Sequence, residues 1–249
     1  MSYKPKIVPW PTEFDGKLPI SEMFLSIQGE GRFAGTPALF VRLKYCNLGC
    51  AWCDTRFTWD EEKIEEGTLL TVQEITNRAL EIMSKSSSPK HETHIVITGG
   101  EPMLHQDRIP AMIDALIEAG FSFFEIETNG MYVPSPAMIS RINWWNCSPK
   151  LSNSGLYTMK TRVAAALATI IATHKCDFKF VIQAPKDIDE MEKIFMPPIP
   201  ADRIILMPEG VTSEIQAQIM PWLSEECIRR GYRFSPRLHI LAWGNERAR

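Results

Sequence analysis

The chain has 249 residues, 45% of them apolar and 23% charged, with a formal net charge of −3. That length suits one large domain or two small ones and buries a full core without disulfide or metal staples. The near-neutral balance gives no global pull toward nucleic acid or a membrane surface, and no run approaches the roughly 18 uncharged apolar residues of a spanning helix. The opening MSYKPKIVPWPTEFDGK has no apolar signal core, so the sequence predicts a soluble, cytoplasmic protein with no nucleic-acid or membrane partner.

Residues 1–19 are rich in proline and charge and read as an N-terminal extension, with 20–249 as a single domain. ALFVRLKYC (38–46) is a predicted strand. TVQEITNRALEIMSK (71–85) opens with the capping box Thr71/Glu74 and carries Ile75, Ala79, Ile82 and Met83 on one helical face. HIVITGGEP (94–102) is an apolar strand running into glycines. DRIPAMIDALIEAG (107–120) has helical apolar spacing and stops at Gly120. FFEIETNG (123–130) and RINWWNCSPK (141–150) read as strands. TRVAAALATIIATHK (161–175) reads as a helix and DFKFVIQAP (177–185) as a strand. DIDEMEKIF is a short helix, DRIILMPEG (202–210) a sixth strand, and SEIQAQIMPWLSEECIRRG (213–231) a helix broken at Pro221.

Strand–helix alternation predicts an α/β fold, a parallel sheet with helices outside. Six such strands fall short of the eight of a complete barrel, so a partial (β/α)6-type barrel is expected. The unusual polar residues cluster at strand ends: the cysteines after 38–44, Thr98-Gly99-Gly100-Glu101-Pro102 after 94–97, Thr128 and Asn129, and Ser148-Pro149-Lys150. In a parallel barrel these tips share the face where active sites are built.

Of six cysteines, Cys147, Cys176 and Cys227 lie scattered in apolar surroundings and read as buried small hydrophobes. Cys46, Cys50 and Cys53 cluster in CNLGCAWC. Three thiols leave one over as disulfides and fall one short of a closed zinc site, unless His91, His94 or His105 joins them. Soft thiolates in a short loop also suit an iron–sulfur cluster, and three of them leave one iron open to a small molecule.

CNLGCAWC has the CxxxCxxC spacing of the radical S-adenosylmethionine (SAM) superfamily, and TGGEP (98–102) looks like that superfamily's glycine-rich motif. EMFLSIQGEGRFAGTPALFVRLKYCNLGCAWCDTRFTW, IETNG, SPK and the terminal LHILAWGNERAR resemble the 7-carboxy-7-deazaguanine synthase family. The likeness touches nearly the whole chain and is densest at 20–60.

That resemblance implies a reduced radical SAM barrel, with a 4Fe-4S cluster, SAM and Mg2+ as cofactors. It implies a lyase reaction in queuosine and 7-deazapurine biosynthesis: rearrangement of 6-carboxy-5,6,7,8-tetrahydropterin to 7-carboxy-7-deazaguanine with loss of ammonia. It further implies a homodimer fed by an electron donor such as flavodoxin or ferredoxin. By the same resemblance Cys46, Cys50 and Cys53 hold the cluster and Thr55 binds Mg2+. Trp52, Cys53, Asp54, Gly100, Glu101, Ser148, Pro149 and Lys150 contact SAM. Ile27, Gln28, Gly29, Arg42 and Thr98 contact substrate. Lys179 and His239 are placed near the site without assigned roles. The competing expectations are a glycyl-radical-enzyme activase of the same superfamily and a non-catalytic zinc-binding module.

Overall fold

A computed structural model describes residues 5–11 and 14–249; the remainder of the 1–19 segment lies outside the described residues. One sheet runs through the molecule, built in chain order from β1 (Leu18–Ile27), β2 (Pro37–Leu43), β3 (Thr68–Leu70), β4 (His94–Gly99), β5 (Phe124–Thr128), β6 (Trp144–Cys147), β7 (Cys176–Ile182), β8 (Ile204–Pro208) and β9 (Arg233–Phe234). Their spatial order is β3-β1-β2-β4-β5-β6-β7-β8-β9. From β2 to β9 every neighbouring pair is parallel. This is the expected α/β partial barrel.

Alternation along each parallel strand sorts side chains to two faces. Leu39, Val41 and Leu43 of β2, Ile95 and Ile97 of β4, Phe124 and Ile126 of β5, and Phe178, Phe180 and Ile182 of β7 join the apolar core. Helices Val72–Met83 and Ile109–Glu118 bring Ile75, Ala79, Met112, Ile113 and Leu116 to the same core. Arg42, Glu125, Glu127, Asn146, Asp177 and Lys179 occupy the alternate positions, so the barrel's other face is polar. The Thr71/Glu74 capping box forms as its spacing predicts.

Three differences from the sequence reading have physical causes. First, β1 begins at Leu18, inside the segment read as an extension, and pairs antiparallel with β2. Second, Ser213–Arg230 is one unbroken helix. Pro221 is exposed, so solvent can take the carbonyl left without a partner, and an expected break becomes a tolerated missing bond. Third, the 161–175 helix starts at Ala164, because Arg162 and Val163 are extended and separate it from the turn Thr158–Thr161.

At the strands' N-terminal ends the Gly31–Phe33 turn covers the barrel. The Phe33 ring lies 4.9, 5.2 and 5.7 Å from those of His94, Phe123 and Trp144. Arg32 donates twice to buried Asp177, at 2.9 and 3.0 Å, and stacks over Trp144. Alongside β1, the helix Leu238–Trp243 is tied in by the Leu238 N–H, 2.8 Å from the Gly29 carbonyl. No helix among the described residues is long and apolar enough to cross a membrane.

Candidate active site

The strand tips enclose a cavity of about 270 Å³, lined by Cys46, Cys50 and Cys53 together with Gln28, Arg42, Thr98, Glu127 and Lys179. The cysteine loop is placed by backbone. β2 ends at Leu43 and turns at Tyr45, whose φ is +73°. The Gly100 N–H donates to the Leu43 carbonyl (3.2 Å) and the Glu101 N–H to the Tyr45 carbonyl (2.8 Å). A Cβ on Gly99 would lie 2.3 Å from the Leu43 carbonyl oxygen, and one on Gly100 2.0 Å from that of Tyr45. Gly99 and Gly100 therefore serve first as room for the chain itself, letting β4 lie against the turn that presents Cys46.

Cys46 and Cys50 are buried with Leu48 and Trp59. The Leu48 N–H lies 3.4 Å from Cys46 Sγ, and the Trp59 indole N–H 3.3 Å from Cys53 Sγ. Burial pushes the Cys46 thiol far up and that of Cys50 up to about 11; a cationic metal group held by these sulfurs would favour their thiolate forms. The histidines weighed as a fourth ligand are engaged elsewhere: His94 Nδ1 is 2.6 Å from Glu125, His105 Nε2 is 3.0 Å from the Lys44 carbonyl, and His91 sits beside Glu92. Among the described residues, no three His, Cys, Asp or Glu side chains converge where a single metal ion would sit. Three soft thiols beside an open cavity fit an iron–sulfur cluster with one iron free for a small molecule.

Most of the sequence-predicted residues meet at this cavity, which Ile27, Gln28, Gly29, Trp52, Asp54, Thr55, Gly100, Glu101, Ser148 and Lys150 also line. Pro149 is buried and not among the lining residues. Lys150 Nζ donates to the Ser148 carbonyl and hydroxyl (2.7 and 2.9 Å) and lies 5.4 Å from the Trp52 ring centroid. Glu101 accepts from the Met103 and Asn129 N–H groups (3.0 and 2.7 Å) and from the Thr128 hydroxyl (2.8 Å). It binds β4's tip to β5's. Burial nevertheless raises its pKa, against those donors. Thr55 Oγ1 stands 3.5 Å from Cys53 Sγ, just before the short turn Arg56–Thr58.

Gln28 is committed more fully than its sequence context suggests. Its amide donates to Glu125 (3.1 Å) and Glu127 (3.4 Å), and its oxygen accepts from the Glu30 N–H (3.3 Å). Glu125 also receives Asn146 at 2.7 Å. His239 packs closely against Gly29, where a Cβ would fall 2.0 Å from its Nδ1.

Sequence reasoning missed an alternating ladder of charge along the cavity wall. Glu127 pairs with Lys179 (2.7 Å), Lys179 with Glu30 (3.0 Å), Glu30 with Arg237 (3.0 Å), and Arg237 with Asp54. Burial pushes Glu127 up to about 7, against the pull of Lys179 and aided by Glu30. Burial works against the Lys179 ammonium too, yet Glu127 and Glu30 hold its pKa above the ordinary lysine value. The available signal was an isolated charge in an apolar strand, as with Lys179 in DFKFVI; its partners, over 50 residues away in sequence, gave no local cue.

The Radical SAM superfamily model matches residues 41–142. A 7-carboxy-7-deazaguanine synthase from Pyrobaculum aerophilum is 35% identical over 92% of this chain and 96% of its own length. Another from Halobacterium salinarum is 31% identical over 92% and 91%. Among solved structures, QueE from Escherichia coli aligns with a TM-score of 0.65 and 28% identity over 90% of this chain and 95% of that one. A more distant neighbour, titled anSMEcpe with bound AdoMet, shares the fold at 13% identity and a TM-score of 0.53. By sequence over nearly its whole length, the chain belongs to the 7-carboxy-7-deazaguanine synthase family of radical SAM enzymes.

Proposed function

We propose that this chain converts 6-carboxy-5,6,7,8-tetrahydropterin to 7-carboxy-7-deazaguanine and ammonia. The observation that carries the reading is the meeting of three thiols with the cavity-facing Arg42 at the C-terminal ends of parallel strands. When bound, the cluster and SAM supply a one-electron route to an organic radical that no side chain provides.

The chain's own residues bind, orient and trade protons. Cys46, Cys50 and Cys53 are the cluster ligands. Trp52, Cys53, Asp54, Gly100, Glu101, Ser148 and Lys150 form the SAM wall, with Pro149 shaping the Ser148–Lys150 turn from behind. Ile27, Gln28, Gly29 and Thr98 surround the pterin. Arg42 takes its carboxylate, which suits a guanidinium held by its Nε and, among the described residues, without a hydrogen bond at either Nη group. Product plus ammonia equals substrate in composition, so the rearrangement is redox-neutral, but a ring carbon loses a proton and the departing nitrogen gains one. Glu127, with a pKa near neutrality, is the lining group suited to that exchange.

The finer readings are proposals of the same kind. They comprise Mg2+ at Thr55, a flavodoxin or ferredoxin donor, a homodimer, a cytoplasmic setting and one catalytic domain over 20–249. The deciding experiment is anaerobic turnover of reconstituted protein with SAM, reductant and the pterin acid, followed by mass spectrometry. Product with one ammonia per turnover supports the reading. Failure to consume the acid at full iron loading overturns it in favour of a glycyl-radical activase.

A further inference from the structure

Glu22 stands between two arginines. It faces Arg42 across the β1–β2 pair, beside the bulge that shifts the register between Ile20 and Glu22. Its Oε1 accepts from Arg42 Nε at 2.7 Å, and its Oε2 from Arg247 Nε at 3.0 Å. Arg247 lies in the tail after the Leu238–Trp243 helix, which Gly244 turns with φ +65°. It is also held by both oxygens of Glu65 (2.9 and 2.7 Å) and lies 3.6 Å from the Phe57 ring centroid. Arg249, farther along, lines the cavity. The tail thus crosses the upper rim, with Arg247 as its latch.

Each oxygen of Glu22 serves one guanidinium. A carboxylate lying along the Nε edge of an arginine readily closes a two-bond fork on Nε and a terminal nitrogen when both its oxygens are free. Here Arg247 engages the second oxygen, and Glu22 holds Arg42 through Nε alone. Among the described residues, Arg42 Nη1 and Nη2 have no hydrogen-bond partner, while Arg42 lines the cavity.

We propose that Arg247 is a positioning residue for acid recognition: by engaging Oε2 of Glu22, it keeps Glu22 from closing a fork on Arg42 and leaves the terminal nitrogens of Arg42 to the ligand's carboxylate. The proposal rests on the reading of Arg42 as the substrate-carboxylate arginine. It makes Glu22 an internal competitor for Arg42, restrained by a residue of the tail. Arg247 is partly exposed, with 42% of its side chain accessible, so the latch is a modest, salt-sensitive interaction.

The test is equilibrium binding of 6-carboxypterin, a stable fluorescent pterin acid, to reconstituted holoenzyme with SAM, with unsubstituted pterin titrated in parallel. Arg247→Ala is expected to weaken 6-carboxypterin roughly two- to five-fold, the upper part of the range of an exposed ion pair, and to leave pterin unchanged. Glu22→Gln in the Arg247→Ala background is expected to restore affinity to within about two-fold of wild type, because a neutral amide competes poorly for a guanidinium. Wild-type affinity in Arg247→Ala overturns the proposal. So does a double variant as weak as Arg247→Ala, which would mean that the tail shapes the rim without acting through Glu22. Arg42→Ala separates the two readings. If it binds 6-carboxypterin like wild type, the acid-binding role of Arg42 fails, and this proposal with it. If it binds weakly while Arg247→Ala is unaffected, only the present proposal fails.

Discussion

Gly100 lies so close to Tyr45 that a Cβ would come within 2.0 Å of the Tyr45 carbonyl oxygen. The obstructing atom is backbone, so neither partner yields cheaply. Gly100→Ala is expected to push the cysteine turn out of place, at a cost of about 1–3 kcal/mol of stability, and to lower iron incorporation while far-UV circular dichroism stays native. Iron assayed after anaerobic reconstitution decides it. Wild-type iron would show that the turn adapts without losing its thiols.

Thr55 is the test of the proposed magnesium position. Thr55→Ser keeps an oxygen at that point and should retain metal-stimulated turnover. Thr55→Val keeps the shape without the donor, so stimulation by Mg2+ should collapse at unchanged iron content. Misplaced reacting groups can cost about 100-fold in rate, so the loss should be large. A normal Mg2+ titration curve for Thr55→Val would place the metal elsewhere.

Glu127 should impose a pH limb. A carboxyl raised to about 7 carries its proton below that pH and becomes a base only above it, so a rate that needs the base rises through about pH 7. Glu127→Gln should abolish the limb and lower kcat by on the order of 100-fold. Because Lys179 pulls the Glu127 pKa down, Lys179→Ala should move the limb to higher pH. A profile identical in shape for wild type and Glu127→Gln would remove Glu127 from proton transfer.

Asp177 is fully buried and receives Arg32 through two bonds and Arg233 at 3.2 Å. Asp177→Ala leaves both guanidinium groups, each about one-third exposed, without their shared acceptor and should cost about 1–3 kcal/mol, read from the midpoint of urea unfolding. A midpoint like wild type would mean that water replaces the carboxylate without loss.

The parallel strands and the convergence of their tips were legible because each strand is a short apolar run followed at once by glycine, cysteine or a polar cluster. Three thiols within eight residues are a local signal, and so is the Thr71/Glu74 cap. β1 was harder to read. LPISEMFLSI mixes Ser21, Glu22 and Ser26 into a strand that pairs antiparallel with both β2 and β3, and its Glu22 faces Arg42 and the tail. The ladder from Glu127 to Asp54 and the Glu22–Arg247 tie join residues far apart in sequence, and their meaning lies in a geometry that periodicity does not carry. Gln28 shows the limit from the other side: sequence placed it at the pterin, while Glu125 and Glu127 take up its amide hydrogens.

Phe33, set among His94, Phe123 and Trp144 and flanked by the Arg32–Asp177 pair, closes the strands' N-terminal ends. A vessel stoppered at its base loads and empties at the rim. Gln28, on the side of the cavity nearest that stopper, is therefore approached past the residues of the rim. The packing at the base thereby decides the face by which anything in this cavity comes and goes.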